Sequence, residues 1–215
     1  MKAEEKLYQL IWENRSSDVP ICLDKGSRSD VALELLDVGT RLLDVGCGAG
    51  TLCYFAKEKY EDVYGIDISE NALNMAKRYN IKISKVNLNE EKLPFEDGYF
   101  DAITCLDVIE HVFEPIDLIT EINRVLRIGG ILVISSPNIR YWQHLFSLVI
   151  SGKFPKTSYN KEHYDGGHLH YFTYNDIGSI LKSCGFHVIK KCGVFNRNIF
   201  KEFSSPGIVI KAIKT

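Results

Sequence analysis

The 215-residue sequence contains no long apolar run, no Cys-x-x-Cys pair, no internal repeat and no low-complexity tract. Its longest apolar stretch, Leu145 to Ile150, is only six residues even with Ser147 counted. A membrane-spanning helix needs about 20. Lys2, Glu4, Glu5 and Lys6 stand where a secretory leader would carry its apolar core, so a cytoplasmic chain is expected. Cysteines at 22, 47, 53, 105, 184 and 192 match neither a zinc spacing nor a dense disulfide framework. They are expected to be reduced and mostly buried thiols. What is present, 45% hydrophobic and 25% charged residues, suits one soluble globular domain with a full core.

The net charge of −2 gives no overall footprint for nucleic acid. Its distribution is uneven. Residues 1–139 carry 15 basic and 24 acidic side chains, whereas residues 140–215 carry 11 and 4. Either the last third faces an anionic substrate, membrane surface or partner, or the two signs interleave in the folded chain.

Residues 3–14 and 29–37 read as helices, the second capped by Ser27 or Ser29. Strand patterns follow at Arg41–Val45, Asp62–Ile66, Ile81–Val86, Phe100–Cys105 and Gly130–Ser135. Between them Thr51–Lys59, Glu70–Arg78 and Ile116–Leu126 read as helices, with Ser69 and Pro115 as start signals and Gly129-Gly130 as a stop. That alternation predicts an α/β fold, a doubly wound parallel sheet covered on both faces. After Pro137 the rhythm breaks. Arg140–Ile150 reads as an apolar helix, Thr173-x-x-Asp176 as a capping box, and Phe186–Phe195 and Gly207–Ile213 as final strands. Residues 138–172 therefore form an insertion at the carboxyl end of a strand, where open α/β sheets build their substrate sites. With Gly152, Gly166 and Gly167 as hinges it is expected to be a mobile cover over an acceptor site.

One segment carries specific chemistry. Leu42-Leu43-Asp44-Val45-Gly46-Cys47-Gly48-Ala49-Gly50-Thr51 follows a strand and opens a helix. Its glycines permit a tight turn and let a ligand approach bare backbone N–H groups. Asp67 ends the next strand, where a carboxylate can accept both hydroxyls of an adenosine ribose. A dinucleotide fingerprint wants glycine at 51, where Thr51 stands. Asp44 would repel a pyrophosphate but suits a ligand bearing an ammonium and a sulfonium. Both points favour S-adenosyl-L-methionine.

The sequence here resembles the class I S-adenosylmethionine-dependent methyltransferases. The resemblance extends through Gly65-Ile-Asp-Ile-Ser69, Leu-Pro-Phe-Glu-Asp-Gly-Tyr-Phe-Asp at 93–101, Asp-Val-Ile-Glu-His-Val at 107–112 and Arg-Val-Leu-Arg-Ile-Gly-Gly-Ile-Leu at 124–132. It implies a Rossmann-like sheet of seven strands with an antiparallel last strand. It also implies that Gly46, Cys47, Gly48 and Gly50 lie against the methionine moiety and that Asp67 and Ile68 hold the ribose. Asn87 and Leu88 would frame the adenine, and Cys105 and Leu106 would approach with backbone atoms. Asn87 replaces a common Asp, and its carbonyl can still accept the adenine amino hydrogen.

Glu110-His111 follows the fourth strand, so His111 is a candidate general base or a positioning group. His163, His168 and His170 cluster in the insertion; with Asp165 nearby but no third ligand at diagnostic spacing, metal binding is the least favoured reading, and His168 and His170 are either candidate acid–base or hydrogen-bonding groups or structural residues. The second half also resembles methyltransferase-like proteins associated with methionine biosynthesis. Glu110-His111 with a later His resembles the ubiquinone-type O-methyltransferases, some of which use a divalent metal. No Asn-Pro-Pro-Tyr or catalytic Pro-Cys is present, which argues against nucleic-acid acceptors. The expectation is an enzyme that methylates a small molecule, most simply on oxygen. The alternative is a cofactor-binding partner protein that transfers nothing. One domain is expected: a helical lid over 1–40, a cofactor core over 41–137, the acceptor insertion, and a closing helix and strands over 173–215.

Overall fold

The computed structural model describes residues 3–13, 22–158, 164–195 and 201–215. His163 lies outside the described residues.

Helix α1 (Ala3–Glu13) precedes α2 (Arg28–Leu35), whose cap is Ser27, its hydroxyl accepting the Asp30 N–H at 3.3 Å. The core then alternates β1 (Gly39–Val45), α3 (Thr51–Ala56), β2 (Tyr60–Asp67), α4 (Glu70–Ala76), β3 (Lys82–Lys85), β4 (Phe100–Leu106), α5 (Pro115–Val125) and β5 (Leu126–Pro137). Ser69 caps α4, and Pro115 opens α5 where no intrahelical donor is needed. Past α6 (Trp142–Ser151), the capping box at Thr173 and Asp176 starts α7 (Tyr174–Ser183). Then come β6 (Phe186–Gly193), α8 (Lys201–Ser204) and β7 (Gly207–Lys214).

The seven strands form one sheet in the order β3-β2-β1-β4-β5-β7-β6, with β7 antiparallel to both neighbours. This is the expected α/β architecture. The order reverses beside β1, so the crevice at its carboxyl end is the place for a ligand. Fully buried Leu43, Ile103, Ile134 and Ile210 pack one face of the sheet, and Leu42, Val133 and Val209 the other. Each strand thus feeds both layers with alternate side chains.

Two expectations are corrected. The glycine pair at 129–130 does not end α5, which passes directly into β5 at Leu126. Opposite Phe100 and Ala102, the β5 partners are Leu126 and Ile131, so the intervening residues bulge out. Gly129 turns the bulge at φ +71°, and a Cβ on Gly130 would lie 2.7 Å from Leu126 Cδ1. Of the cysteines, Cys47, Cys53 and Cys105 are buried; Cys22 is exposed and Cys184 and Cys192 are half-buried.

Candidate active site

A cavity opens over the carboxyl ends of β1, β2 and β4. Gly46 and Gly48 contribute from the turn after β1, and Ile66, Asp67 and Ile68 from the end of β2. Val86, Asn87 and Leu88 follow β3; Asp107, Val108, His111 and Val112 follow β4. Tyr8 and Trp12 of α1 complete the wall.

The glycine loop is shaped by close approach. Gly46 has φ +72°, and a Cβ there would lie 2.3 Å from Val108 Cγ2. A Cβ on Gly48 would lie 2.7 Å from the Trp12 ring. Any side chain at these positions would fill the space a ligand needs against the backbone. Asp67 is tied to the same loop, its Oδ2 accepting the Gly48 N–H at 2.9 Å and its Oδ1 the Ser69 N–H at 2.8 Å. Burial pushes its carboxyl above the usual range, although the bonds from Ser69, Gly48 and Ile68 oppose that. With those three N–H donors on four lone-pair sites, one site stays open for a ribose hydroxyl. Asn87 turns its side-chain oxygen to the Asn89 N–H at 3.0 Å.

Other expected cofactor contacts fall outside the cavity wall. Asp44 is buried behind the glycine loop, where its Oδ1 accepts the Thr104 hydroxyl at 2.6 Å and Cys53 Sγ lies 3.6 Å from Oδ2. Burial pushes its carboxyl up to about 7, so it is not the exposed anion that the sequence suggested. Cys47 points inward, with Sγ 3.7 Å from the Gly48 carbonyl. Gly50 turns the chain into α3 at φ +82°, against Ala76. Cys105 and Leu106 stop short of the cavity, whose wall begins at Asp107. Asp107 takes φ +53°, held by the Ser135 hydroxyl at 2.8 Å and by Arg28 of α2 at 2.6 Å.

The proposed reacting groups meet on one side of the cavity. His111 Nδ1 lies 3.3 Å from the Gly167 carbonyl, which can only accept, so Nδ1 carries the proton and Nε2 a lone pair. Burial and the neighbouring His168 hold His111 down at about 4, so it is neutral at physiological pH. The two imidazole rings are 4.6 Å apart, and Tyr8 packs edge-on against His111.

His168 is positioned by an acidic hub. Asp165, itself 1% exposed, accepts from Thr157 N at 2.6 Å, Ser158 N at 2.7 Å and the Tyr171 hydroxyl at 2.9 Å. Burial would raise its carboxyl, but these bonds outweigh it and hold it below the usual range. The ionised Asp165 takes the Thr157 hydroxyl proton at 3.0 Å, so Thr157 Oγ1 must accept from His168 Nδ1 at 2.6 Å. His168, like His111, therefore keeps its lone pair on Nε2.

His170 goes elsewhere. Its Nε2 meets the Val112 carbonyl at 3.0 Å and its ring stacks on Phe172, while the backbone N–H groups of Leu169 and His170 bond the Glu110 carbonyl. That makes it a strut between the insertion and the loop after β4, not a cavity group. Glu110 is fully buried, and neither of its oxygens, nor the Ser136 hydroxyl beside it, makes a hydrogen bond of normal geometry. Burial, then repulsion from Asp107, holds its carboxyl well above the usual range. One ligand atom each from Glu110, His111 and His168 lies within 4.8 Å of the others, a donor set that could hold a divalent cation.

Sequence reading missed Tyr8, Trp12, Asp107 and the Thr157–Asp165 brace. Asp107 had a usable signal, because it shares the Asp-x-x-Glu-His turn with the residues already singled out. Tyr8 and Trp12 offered none, since each acts across a long separation in the chain; Asp165 stands three residues before His168, but nothing local marked Thr157 as the link between them.

Residues 43–134 match the family model described as a methyltransferase domain. The ubiquinone biosynthesis O-methyltransferase of Dechloromonas aromatica (strain RCB) is 36% identical over 128 residues, covering 56% of this chain and 53% of that one. The chain spans about half the length of three such curated relatives. An S-adenosylmethionine-dependent methyltransferase from Mesorhizobium loti superposes with a TM-score of 0.67 at 19% identity, over 88% of this chain and 99% of that one. One from Aquifex aeolicus gives 0.63 at 22% identity, over 100% of both chains.

Proposed function

We propose that the chain is a class I S-adenosylmethionine-dependent methyltransferase that methylates an oxygen of a small-molecule acceptor, a reading supported by the methyltransferase-domain match over residues 43–134, the ubiquinone-type relatives and the fold. The observation that carries this reading is the pairing of two features in one cavity. Asp67 and the glycine loop present a ribose and backbone cradle, and a neutral His111 stands across from them.

When bound, S-adenosylmethionine would supply a methyl group made electrophilic by its sulfonium, with S-adenosylhomocysteine as the leaving group. Gly46 and Gly48 give the methionine moiety open backbone, Asp67 and Ile68 take the ribose, and Asn87 and Leu88 frame the adenine. His111 Nε2 accepts the proton of an acceptor hydroxyl as that oxygen becomes nucleophilic. His168, braced by Thr157 and Asp165, keeps the imidazole pair in place. Tyr8 and Trp12 exclude water over the cavity, in keeping with a lid over residues 1–40. No residue of the insertion over 138–172 lines the cavity itself; Gly167 and His168 back the acceptor side by holding His111 from behind. Residues 41–137 form the cofactor core, and 173–215 close the sheet. No helix among the described residues is long and apolar enough to cross a membrane. A cytoplasmic location belongs to this reading, and nucleic acid does not enter it.

The unsatisfied Glu110 carboxyl supports a second form of the same reaction. A divalent cation held by Glu110, His111 and His168 would satisfy that carboxyl and lower the pKa of a bound acceptor hydroxyl.

The test is release of S-adenosylhomocysteine with a panel of small hydroxylated acceptors, with and without chelator and added magnesium. Turnover with any acceptor supports the enzyme. Full S-adenosylmethionine binding without turnover on the whole panel would turn the reading toward a non-catalytic partner protein. Activity unaffected by chelation selects the metal-free form.

A further inference from the structure

Helix α6 turns an apolar stripe to solvent. Trp142, Leu145, Phe146, Val149 and Ile150 fall within one stripe at helical spacing. Four of them are more than half exposed, Trp142 at 54%, Phe146 at 56%, Val149 at 75% and Ile150 at 67%. The bonds on its other side are local. His144 Nδ1 bonds the Asn138 carbonyl at 2.9 Å, and the Ser147 hydroxyl donates to the Lys153 carbonyl at 3.0 Å. No residue of the helix is buried. An apolar stripe of this kind on a water-facing helix signals a surface that something covers.

The charge around the helix identifies the cover. From Arg140 to Asn160 the sequence has Arg140, Lys153 and Lys156 and no acidic residue. Gly152 ends α6 at φ +60°, and the lysines follow at once, both exposed beside half-exposed Phe154, while buried Pro155 pins the strand between them to the body. Arg140 bonds Glu202 at 2.9 Å and lies over the Phe203 ring at 4.5 Å, tethering the start of the segment. A short helix with an apolar outer stripe, an aromatic residue at one end and basic residues at the other is built to lie in a lipid interface. A second copy of the chain would gather the same lysines around one interface.

We propose that α6 and the Lys153–Lys156 segment dock this protein on an anionic lipid bilayer, with Trp142, Phe146, Val149 and Ile150 entering the headgroup boundary. The contact is peripheral, as a ten-residue helix of about 15 Å is too short to cross the hydrocarbon.

The experiment is co-sedimentation of the full chain with vesicles of phosphatidylglycerol and phosphatidylcholine, compared with phosphatidylcholine alone, at low and high salt. The wild type is expected to bind the anionic vesicles and to leave them as salt rises. Val149→Glu with Ile150→Glu should lower the partition coefficient at least about tenfold. Lys153→Glu with Lys156→Glu should remove the preference for anionic lipid. Calorimetric binding of S-adenosylhomocysteine should be unchanged in both double variants, which separates loss of docking from loss of fold and from any failure of the methyltransferase reading. No wild-type binding to anionic vesicles at low salt would overturn the proposal, as would equal binding by the Val149/Ile150 variant. So would a wild-type dimer that ignores vesicles and becomes monomeric in that variant, a result assigning the stripe to a second copy.

Discussion

The proposed cofactor side and the proposed acceptor side of the cavity are built by different means. On the cofactor side, Gly46, Gly48 and Asp67 lie within 22 residues and act through backbone groups whose positions follow from two adjacent parallel strands. On the acceptor side, His111 meets Gly167 and His168 across more than 50 residues, and side chains do the work. A local motif can specify a cradle, because strand, turn and helix set it together. A reacting constellation depends on how distant segments pack, and it can change while the cradle stays the same.

Substitutions on each side should therefore have separable effects. The largest is expected at His111, where His111→Ala should lower kcat about 10²–10⁴-fold with little change in S-adenosylhomocysteine affinity. Steady-state kinetics beside calorimetry would show this, and a loss under about threefold would reduce His111 to a positioning group. Gly46→Val should do the reverse. At φ +72° and 2.3 Å from Val108, the new side chain should weaken S-adenosylhomocysteine about 100-fold or more, read by calorimetry with circular dichroism to confirm the fold.

A smaller effect sharpens the acceptor side alone. Asp165→Asn replaces one accepting oxygen with an NH2 group facing donors from Thr157, Ser158 or Tyr171. It should cost about 1–3 kcal/mol in denaturant unfolding and lower kcat about tenfold as His168 loosens, with cofactor affinity retained.

An effect confined to stability lies behind the cofactor cradle. Burial raises the Asp44 carboxyl from 3.8 to about 7, so folding takes up a proton there. That contribution is fully present below about pH 4 and lost as pH rises through about 7. Asp44→Asn removes the titration. The variant's stability relative to wild type should therefore rise from pH 4 to 8, as followed by Tm; a flat difference would mean that Asp44 stays near its ordinary pKa.

The same contrast explains what was legible in the sequence. Ser69, Pro115 and the Thr173–Asp176 box act within one helical turn, and each starts its helix where the pattern placed it. Gly129 and Gly130 were misread, because a helix stop and a strand bulge make the same local demand, and only pairing with β4 distinguishes them. Asp67 was legible from its place at a strand end. Asp44 was not, since whether it faces the cavity or Thr104 depends on the packing of β4 beside β1. Trp12 gave no local sign of lying on Gly48, a contact between two distant segments.

The most direct test of the two-sided site is titration calorimetry of S-adenosylhomocysteine into the wild type, Asp67→Ala and His111→Ala under one set of conditions. Losing hydrogen bonds to a charged acceptor should weaken Asp67→Ala by about 1.5–3 kcal/mol, roughly 10- to 150-fold, while His111→Ala binds as the wild type does. Equal losses in both variants, or tighter wild-type binding of NAD than of S-adenosylhomocysteine, would contradict the account.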